Sequence, residues 1–386
     1  MKKSLFIVAA AAMMTACSNE GLRESFKTVE TDEAIDFATF VQRAVNTRAS
    51  ELSENNGLAE TSGLENYHTN FQVWGYKYNT GIASEEAVFK GKEVNYNLVA
   101  SSDAKSWNYT SWTYTPVAYW DKSADYYNFY AAAPANTNWN FDNYKFSYAD
   151  FLLTGVSLPV TSGDADAKAS FKETDDVDLM ISNDITHYDT YKTETPVEFN
   201  FNHILARLNI SVQAKNLASG DVCYLNEVKV YNMKYQGSFD EASSDANASG
   251  DCNRWTTSGS ANTTGVGYKS TIASGDALTE SPVYYYRGLC IPQEVAYASG
   301  DCPLNGKGVD AATMPYLNIK FAINEDKYSY FYNLADLFNG KESEANIKFC
   351  EGWMNTLHII ISPEIINFDA DVYDWNEKEY QYTLPK

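Results

Sequence analysis

Apolar side chains recur at every second position along most of this chain, in short runs. Between Leu64 and about Pro159 several such runs are separated by turn signals, among them Phe71-Gln72-Val73-Trp74-Gly75-Tyr76 and Tyr126-Tyr127-Asn128-Phe129-Tyr130, the latter running into Ala133-Pro134. Runs of this length at this spacing predict a sandwich. A polar stretch from Asn183 to Pro196 follows. From Val197 onward Phe199, Phe201 and His203 share one parity, while Ala206, Leu208, Ile210 and Val212 share the other. A period-2 pattern changes face within a run only through a bulge or a bend, so an irregularity is expected near Ile204 and Leu205. Residues 240–278 hold mostly Ser, Gly, Asn, Asp, Thr and Ala, and predict a long surface loop or insertion. Leu334, Leu337 and Phe338 suit one short helix ended by Asn339-Gly340. Gly352 opens the clearest strand, with Leu357, Ile359 and Ile361 on one side, Thr356, His358 and Ile360 on the other, and burial expected on both. Ile366, Phe368, Ala370 and Val372 alternate again, followed by Trp375 and by Tyr380, Tyr382 and Leu384. No repeat of fixed period is evident.

The N-terminus follows a different rule. Lys2 and Lys3 precede a wholly apolar stretch from Leu5 to Met14, which stops at Thr15-Ala16-Cys17. A stretch this short falls well below the roughly 20 apolar residues that a spanning helix needs, and has the length of a signal h-region. With small residues ahead of Cys17, residues 1–16 read as a lipoprotein signal peptide and Cys17 as the lipidated first residue of the mature chain. An ordinary secretory signal is the plainer alternative, and Met14-Thr15-Ala16 fits its small-x-small cleavage pattern less well. Two or more acyl chains anchor stably, so the membrane is touched only through the lipid at Cys17. No apolar run after residue 17 is long enough to span. Residues 18–34 are polar and acidic and read as a tether. The next segment, Ile35 to Val45, is ambiguous: Ile35, Phe37, Thr39 and Val41 alternate as in a strand, while Phe37, Phe40, Val41 and Ala44 also suit a helix.

At 386 residues the chain is long enough for two domains, each with its own core. Its net charge of −22 repels nucleic acid and anionic headgroups alike, which excludes nucleic acid as a partner. Aromatics make up 15% of the residues, with 29 tyrosines, which favours half-buried strands. Besides Cys17 there are Cys223, Cys252, Cys290, Cys302 and Cys350, all in the second half. Five cannot all pair, and their spacing is neither a dense scaffold nor a CxxC metal pattern, so buried thiols and one or two bridges both stay open.

Little in the chain points to catalysis or a cofactor. The four histidines, His68, His187, His203 and His358, form no HExxH or other metal spacing, and His203 reads as a ring that anchors backbone by a hydrogen bond. The acidic run Asp164, Asp166, Asp175, Asp176 and Asp178 lacks the EF-hand spacing and its glycine, and no metal is assigned. There is no GxSxG and no phosphate-cradling GxxxxGK[ST]. Trp107, Trp112, Trp120 and Trp139 fall within one tyrosine-rich stretch. They read as core; if two or more were exposed and coplanar they would make a sugar-stacking platform.

Several stretches taken together carry a resemblance. They are the leader, the Thr47-Arg48-Ala49 step, Tyr119-Trp120 followed by Tyr127 to Pro134, Asp178-Leu179-Met180, Phe201-Asn202-His203-Ile204-Leu205-Ala206-Arg207-Leu208, Gly352 to Ile361, Ile366-Asn367-Phe368 and Val372 to Trp375. In this order and spacing the chain resembles the fimbrillin-like lipoproteins that build type V pili on two-membrane bacteria. The resemblance implies a mainly β fold: two β-sandwich domains of transthyretin-like topology with long loops and one or two short helices. It divides the chain into residues 17–48, a lipidated tether and removable strand, 49–190, an N-terminal sandwich, and 191–386, a C-terminal sandwich carrying the inserted loop 240–278. It also implies assembly by donor-strand exchange, in which a protease that cuts after arginine removes the N-terminal segment and a neighbouring subunit's strand fills the groove. Carried over, Ile35, Phe37, Thr39 and Val41 form the displaced strand, Arg48 is the processing point with Arg43 as second choice, and Tyr380, Tyr382 and Leu384 are the candidate donor strand. The plain alternatives are a solvated linker arginine and a tail that completes its own sheet. The implied protein is a structural or tip subunit at the outer membrane and then in the fimbrium. Its partners would be other pilin subunits in a homo- or hetero-polymer, an arginine-specific protease, and a surface glycan or protein to which it adheres. The alternative function is a glycan-binding cell-surface lipoprotein that does not polymerise, and a third is an inert coat protein.

Overall fold

The computed structural model describes residues 34–41, 64, 68–79, 85–97, 111–154, 177–188, 196–243, 253–295, 314–339, 346–363 and 366–374. Alternating apolar positions become strands almost throughout. The first half supplies β1 (Phe37–Val41), β2 (Asn70–Tyr78), β3 (Glu86–Asn97), β4 (Ser111–Thr113), β5 (Tyr126–Ala133), β6 (Trp139–Asp142), β7 (Lys145–Leu152), β8 (Met180–Ser182), β9 (Ile185–His187) and β10 (Val197–His203). Eight of these form one sheet in the order β1-β10-β8-β5-β2-β3-β4, with β9 beside β5. β1 lies parallel to β10; the remaining neighbours in this sheet are antiparallel.

One face of the sheet gathers Phe71 and Val73 of β2, Phe89 and Val94 of β3, Tyr127 and Phe129 of β5, and Phe199 and Phe201 of β10 into a single core. Phe89 and Val94 have opposite parity and still face the same core, because the β2–β3 register slips between them. Gly91 sits in that slip at φ 65°, close under the Trp74 ring, where a Cβ would lie 3.1 Å from the indole. A left-handed residue at a bulge is where glycine costs least. The sheet curls until its ends meet: Ala34, just ahead of β1, bridges Tyr119, and Ile35 N donates to the Ala118 carbonyl at 3.0 Å.

The opposite face carries Trp74, Tyr130, Ala132 and Ile181 into a second, larger core. The β6–β7 hairpin covers it, with Phe141 and Phe146 5.3 and 5.2 Å from the Trp74 ring.

The second half supplies β11 (Ala206–Ala214), β12 (Cys223–Tyr231), β13 (Gln236–Asp240), β14 (Trp255–Ser258), β15 (Val266–Lys269), β16 (Asp276–Ala277), β17 (Val283–Cys290), β18 (Gln293–Val295), β19 (Tyr316–Ile323), β20 (Asp326–Asn333), helix α1 (Leu334–Asn339), β21 (Ile347–Phe349), β22 (Trp353–Ile361) and β23 (Ile366–Asp374). A sheet ordered β17-β11-β22-β23 packs against one ordered β15-β12-β19-β20, with β16 beside β12. Leu208, Ile210, Leu357 and Ile359 of the first meet Val228, Val230, Ile319 and Phe321 of the second in the larger core. β18 and β21 pair separately. The expected short helix is present, and the Asn333 side chain caps its start by accepting from Ala335 N at 2.9 Å. No described helix is long and apolar enough to cross a membrane.

The fold is mainly β, as expected, and three local expectations are corrected. The parity change at Ile204 and Leu205 is not a bulge within one strand: β10 ends at His203 in the first sheet and β11 starts at Ala206 in another, with both intervening side chains fully buried. The change of sheet thus falls between His203 and Ala206, within about 20 residues of the expected 190/191 boundary and not in the polar stretch ahead of Val197. Nor do the halves separate into independent sheets. β13 pairs with β7 and with β14, giving a sheet ordered β14-β13-β7-β6 that joins the two halves. The third correction is the stretch 240–278. It contains β14, β15 and β16, which bury Trp255, Val266, Tyr268 and Asp276. A few large side chains at alternate positions suffice for a strand that borrows its register from a neighbour, and the polar residues between them hid it.

Candidate functional site

Residues 34–41 settle the strand-or-helix ambiguity in favour of a strand. Ile35, Phe37 and Thr39 turn inward, at 0%, 5% and 7% exposure, while Asp36 faces water. Val41 closes the strand opposite Phe201 in a parallel register that begins with Phe37 opposite Val197. Val197 N donates to the Asp36 carbonyl at 2.8 Å. Among the described residues, the ladder of β1 is with β10 alone, so β1 is an end strand of the sheet that also fills its core.

Phe37 lies in a ring of aromatics. Its centroid is 5.4 Å from Tyr114, 5.6 Å from Phe89 and Phe199, 6.2 Å from Phe71 and 6.3 Å from Phe129. The Tyr114 hydroxyl donates to the Ile35 carbonyl at 2.7 Å and accepts from Ala118 N at 3.3 Å. Burial pushes the Tyr114 phenol up to about 12, which keeps it a donor at neutral pH. Thr39 Oγ1 accepts from Leu64 N at 3.3 Å, and Leu64 is itself fully buried. Burying Ile35 and Phe37 contributes about 1.5–3 kcal/mol each, a sizeable share of the 5–15 kcal/mol that typically holds a domain together.

Two of the sequence stretches noted above converge one strand further in. Asp178-Leu179-Met180 and Phe201 to Leu208 meet where His203 stands opposite Met180 in the β10–β8 ladder, and Ile204 N donates to the Leu179 carbonyl at 3.0 Å. His203 Nδ1 lies 2.6 Å from Asp178 Oδ2, with its side chain 2% exposed. That ring nitrogen meets a carboxylate, supplied by the residue that had been grouped with the acidic run. His68, held at Leu64 O through its backbone N at 2.8 Å, has its pKa lowered by burial, against the pull of Asp178.

The remaining candidates divide plainly. Trp112, Trp120 and Trp139 are buried, at 6%, 4% and 6% exposure, and line cores. Cys223 and Cys290 are buried free thiols, the first pushed up to about 12 by burial, and Cys350 is disulfide-bonded. Glu351, beside it, holds Arg254 through Nε at 3.2 Å, and that guanidinium lies 5.3 Å over the Phe239 ring. Among the described residues no three His, Cys, Asp or Glu side chains stand close enough to share a metal ion. Cys17, Arg43, Arg48, Tyr380, Tyr382 and Leu384 lie outside the described residues, as do Trp107, Trp375, Cys252, Cys302 and Asp164, Asp166, Asp175 and Asp176. Sequence reading missed Tyr114 and Leu64, because neither sits in a periodic run.

Among solved structures the fold is similar to a fimbrial protein from Bacteroides vulgatus, at 14% identity over 89% of this chain and 100% of that one, with a TM-score of 0.43. It is also similar to a tip fimbrial protein with C-terminal truncation from Porphyromonas gingivalis, at 10% identity over 88% and 99% of the two chains, TM-score 0.39. A fimbrial assembly protein from Parabacteroides distasonis aligns at 11% identity over 91% and 98%, TM-score 0.33. No curated protein matches the chain. The family model described as fimbrillin-like matches residues 47–375, a span that begins just after β1 and takes in β2 to β23. The chain therefore belongs to the fimbrillin-like family.

Proposed function

We propose that this protein is a structural or tip subunit of a type V pilus, exported as a lipoprotein through Cys17 and assembled by protease-triggered donor-strand exchange in support of adhesion. The observation that carries the reading is the place of β1. Residues ahead of Ala49 supply an end strand whose Ile35 and Phe37 fill the core of the first sheet. Were that strand withdrawn, β10 would be left with unpaired backbone groups beside an aromatic-lined groove, which is the situation that strand addition relieves. A cut after Arg48, or failing that Arg43, would break the main-chain link between β1 and the rest of the fold without touching a described strand. The mature subunit would then leave its lipid anchor for the fimbrium. Tyr380, Tyr382 and Leu384 remain the proposed donor positions, with other pilin subunits as acceptors. Family membership makes a non-enzymatic, cell-surface role the natural one.

The test is to treat purified full-length precursor with an arginine-specific protease and look for detergent-resistant oligomers. A ladder is expected, and deletion of residues 376–386 is expected to abolish it while leaving a folded monomer. A cut protein that stays monomeric under all conditions would contradict the reading, and an undiminished ladder from the deletion variant would exclude the tail as donor.

A further inference from the structure

Which strand can replace β1 is decided by side chains. A partner on the β10 edge needs only N–H and C=O groups, which every sequence offers, so the ladder gives affinity without choice; choice comes from pockets that receive alternate side chains. The three inward positions, Ile35 just ahead of β1 and Phe37 and Thr39 within it, are not equal in this respect. At Ile35 the Tyr114 hydroxyl reads the backbone carbonyl, which any residue would present. At Thr39 a single hydroxyl contact reaches Leu64 N.

At Phe37, by contrast, five rings close around one side chain. Phe71, Phe89 and Phe129 meet it edge to face, at 78°, 65° and 78°, while Tyr114 and Phe199 lie tilted against it. They come from β2, β3, β5, β10 and the segment after β4, so none of the pocket's walls belongs to β1. Edge-to-face contact is the geometry in which ring quadrupoles attract, and it adds to the area buried. A small side chain would leave a cavity there, and a charged one would be desolvated with no partner. Asp36, one position along, faces water and carries no such demand.

We infer that the Phe37 pocket is the selectivity pocket of the groove. It admits a strand of another subunit that places an aromatic ring between Phe71, Phe89, Tyr114, Phe129 and Phe199, with an aliphatic side chain and a small hydroxyl residue at the two flanking inward positions. This rests on the strand-exchange reading given above, which it deepens by naming the partner strand's chemistry.

The experiment uses the full-length protein cut with an arginine-specific protease and fluorescent peptides of the sequence of residues 34–41. Entry is followed by anisotropy and native mass spectrometry. The unaltered peptide is expected to enter, a D36A peptide to match it within about twofold, and an F37A peptide to bind roughly a hundredfold more weakly or worse, the scale of truncating a buried phenylalanine. Varying the peptide leaves the protein's own fold untouched. Equal entry of the F37A peptide would overturn the selectivity pocket and leave strand exchange standing. Failure of every peptide to enter, with no oligomer formed from the cut protein, would overturn strand exchange itself.

Discussion

Truncating Phe37 removes both transferred area and the packing of five rings that have no easy way to collapse inward. In the uncut protein F37A is expected to cost about 3–5 kcal/mol of stability by chemical denaturation. D36A, on the exposed side of the same strand, should stay within about 0.5 kcal/mol. If both changed stability equally, β1 would not be packed in the way described. His68 gives a pH-dependent prediction. Its folded pKa is depressed below the ordinary value of 6.5 by burial, so the unfolded chain binds the proton more readily. The stability contributed by keeping it neutral is present above about pH 6.5 and is lost as pH falls through the lowered value. The drop in Tm between pH 7 and pH 5 should therefore be smaller in H68Q than in the parent, and an identical drop would contradict the burial. At this scale the sequence revealed positions that lie on a period, Ile35 and Phe37 among them. It could not reveal Tyr114, just past a three-residue strand, or Leu64, isolated among polar neighbours, because their roles arise where separate loops converge.

Among the elements, β1 is held by more than its covalent link. Its parallel ladder to β10, the Tyr114 hydroxyl, the Leu64 N–H and the bridge from Ala34 to Tyr119 all survive a cut between residues 41 and 64. Proteolysis is therefore expected to leave the N-terminal fragment bound until another strand displaces it: in dilute cut protein it should co-elute with the body in gel filtration, and leave as subunits assemble or a competing strand is supplied. Spontaneous release on cutting would mean that these contacts are weaker than their geometry implies. Alternation made β2, β5, β10, β11 and β22 legible, and the spacing of Leu334, Leu337 and Phe338 ahead of Asn339-Gly340 made α1 legible. What escaped was assignment to sheets. The change of parity after His203 is visible in sequence, but a bulge and a passage from one sheet to another leave the same trace, and only the pairing of β11 with β17 and β22 separates them. β14 to β16 escaped because short strands paired to a strong neighbour need little apolar content of their own.

For the molecule as a whole, an end strand supplied from ahead of the family-matched region joins a sheet that curls shut around it, and a second sandwich is tied to the first through β7 and β13. The mainly β class followed from composition and period. The joining sheet did not, because pairings between strands some 90 residues apart have no local signature. A net charge of −22 keeps monomers apart until a specific contact forms, which suits the proposed gating of association by a cut. The most direct test of the account is N-terminal sequencing of subunits inside the assembled fibre. The account predicts chains that begin at Ala49, or at Ala44 if Arg43 is the point of cleavage, with residues 34–41 absent from the subunits. Fibres built of chains that still begin at Cys17 and retain residues 34–41 in their sheets would contradict it.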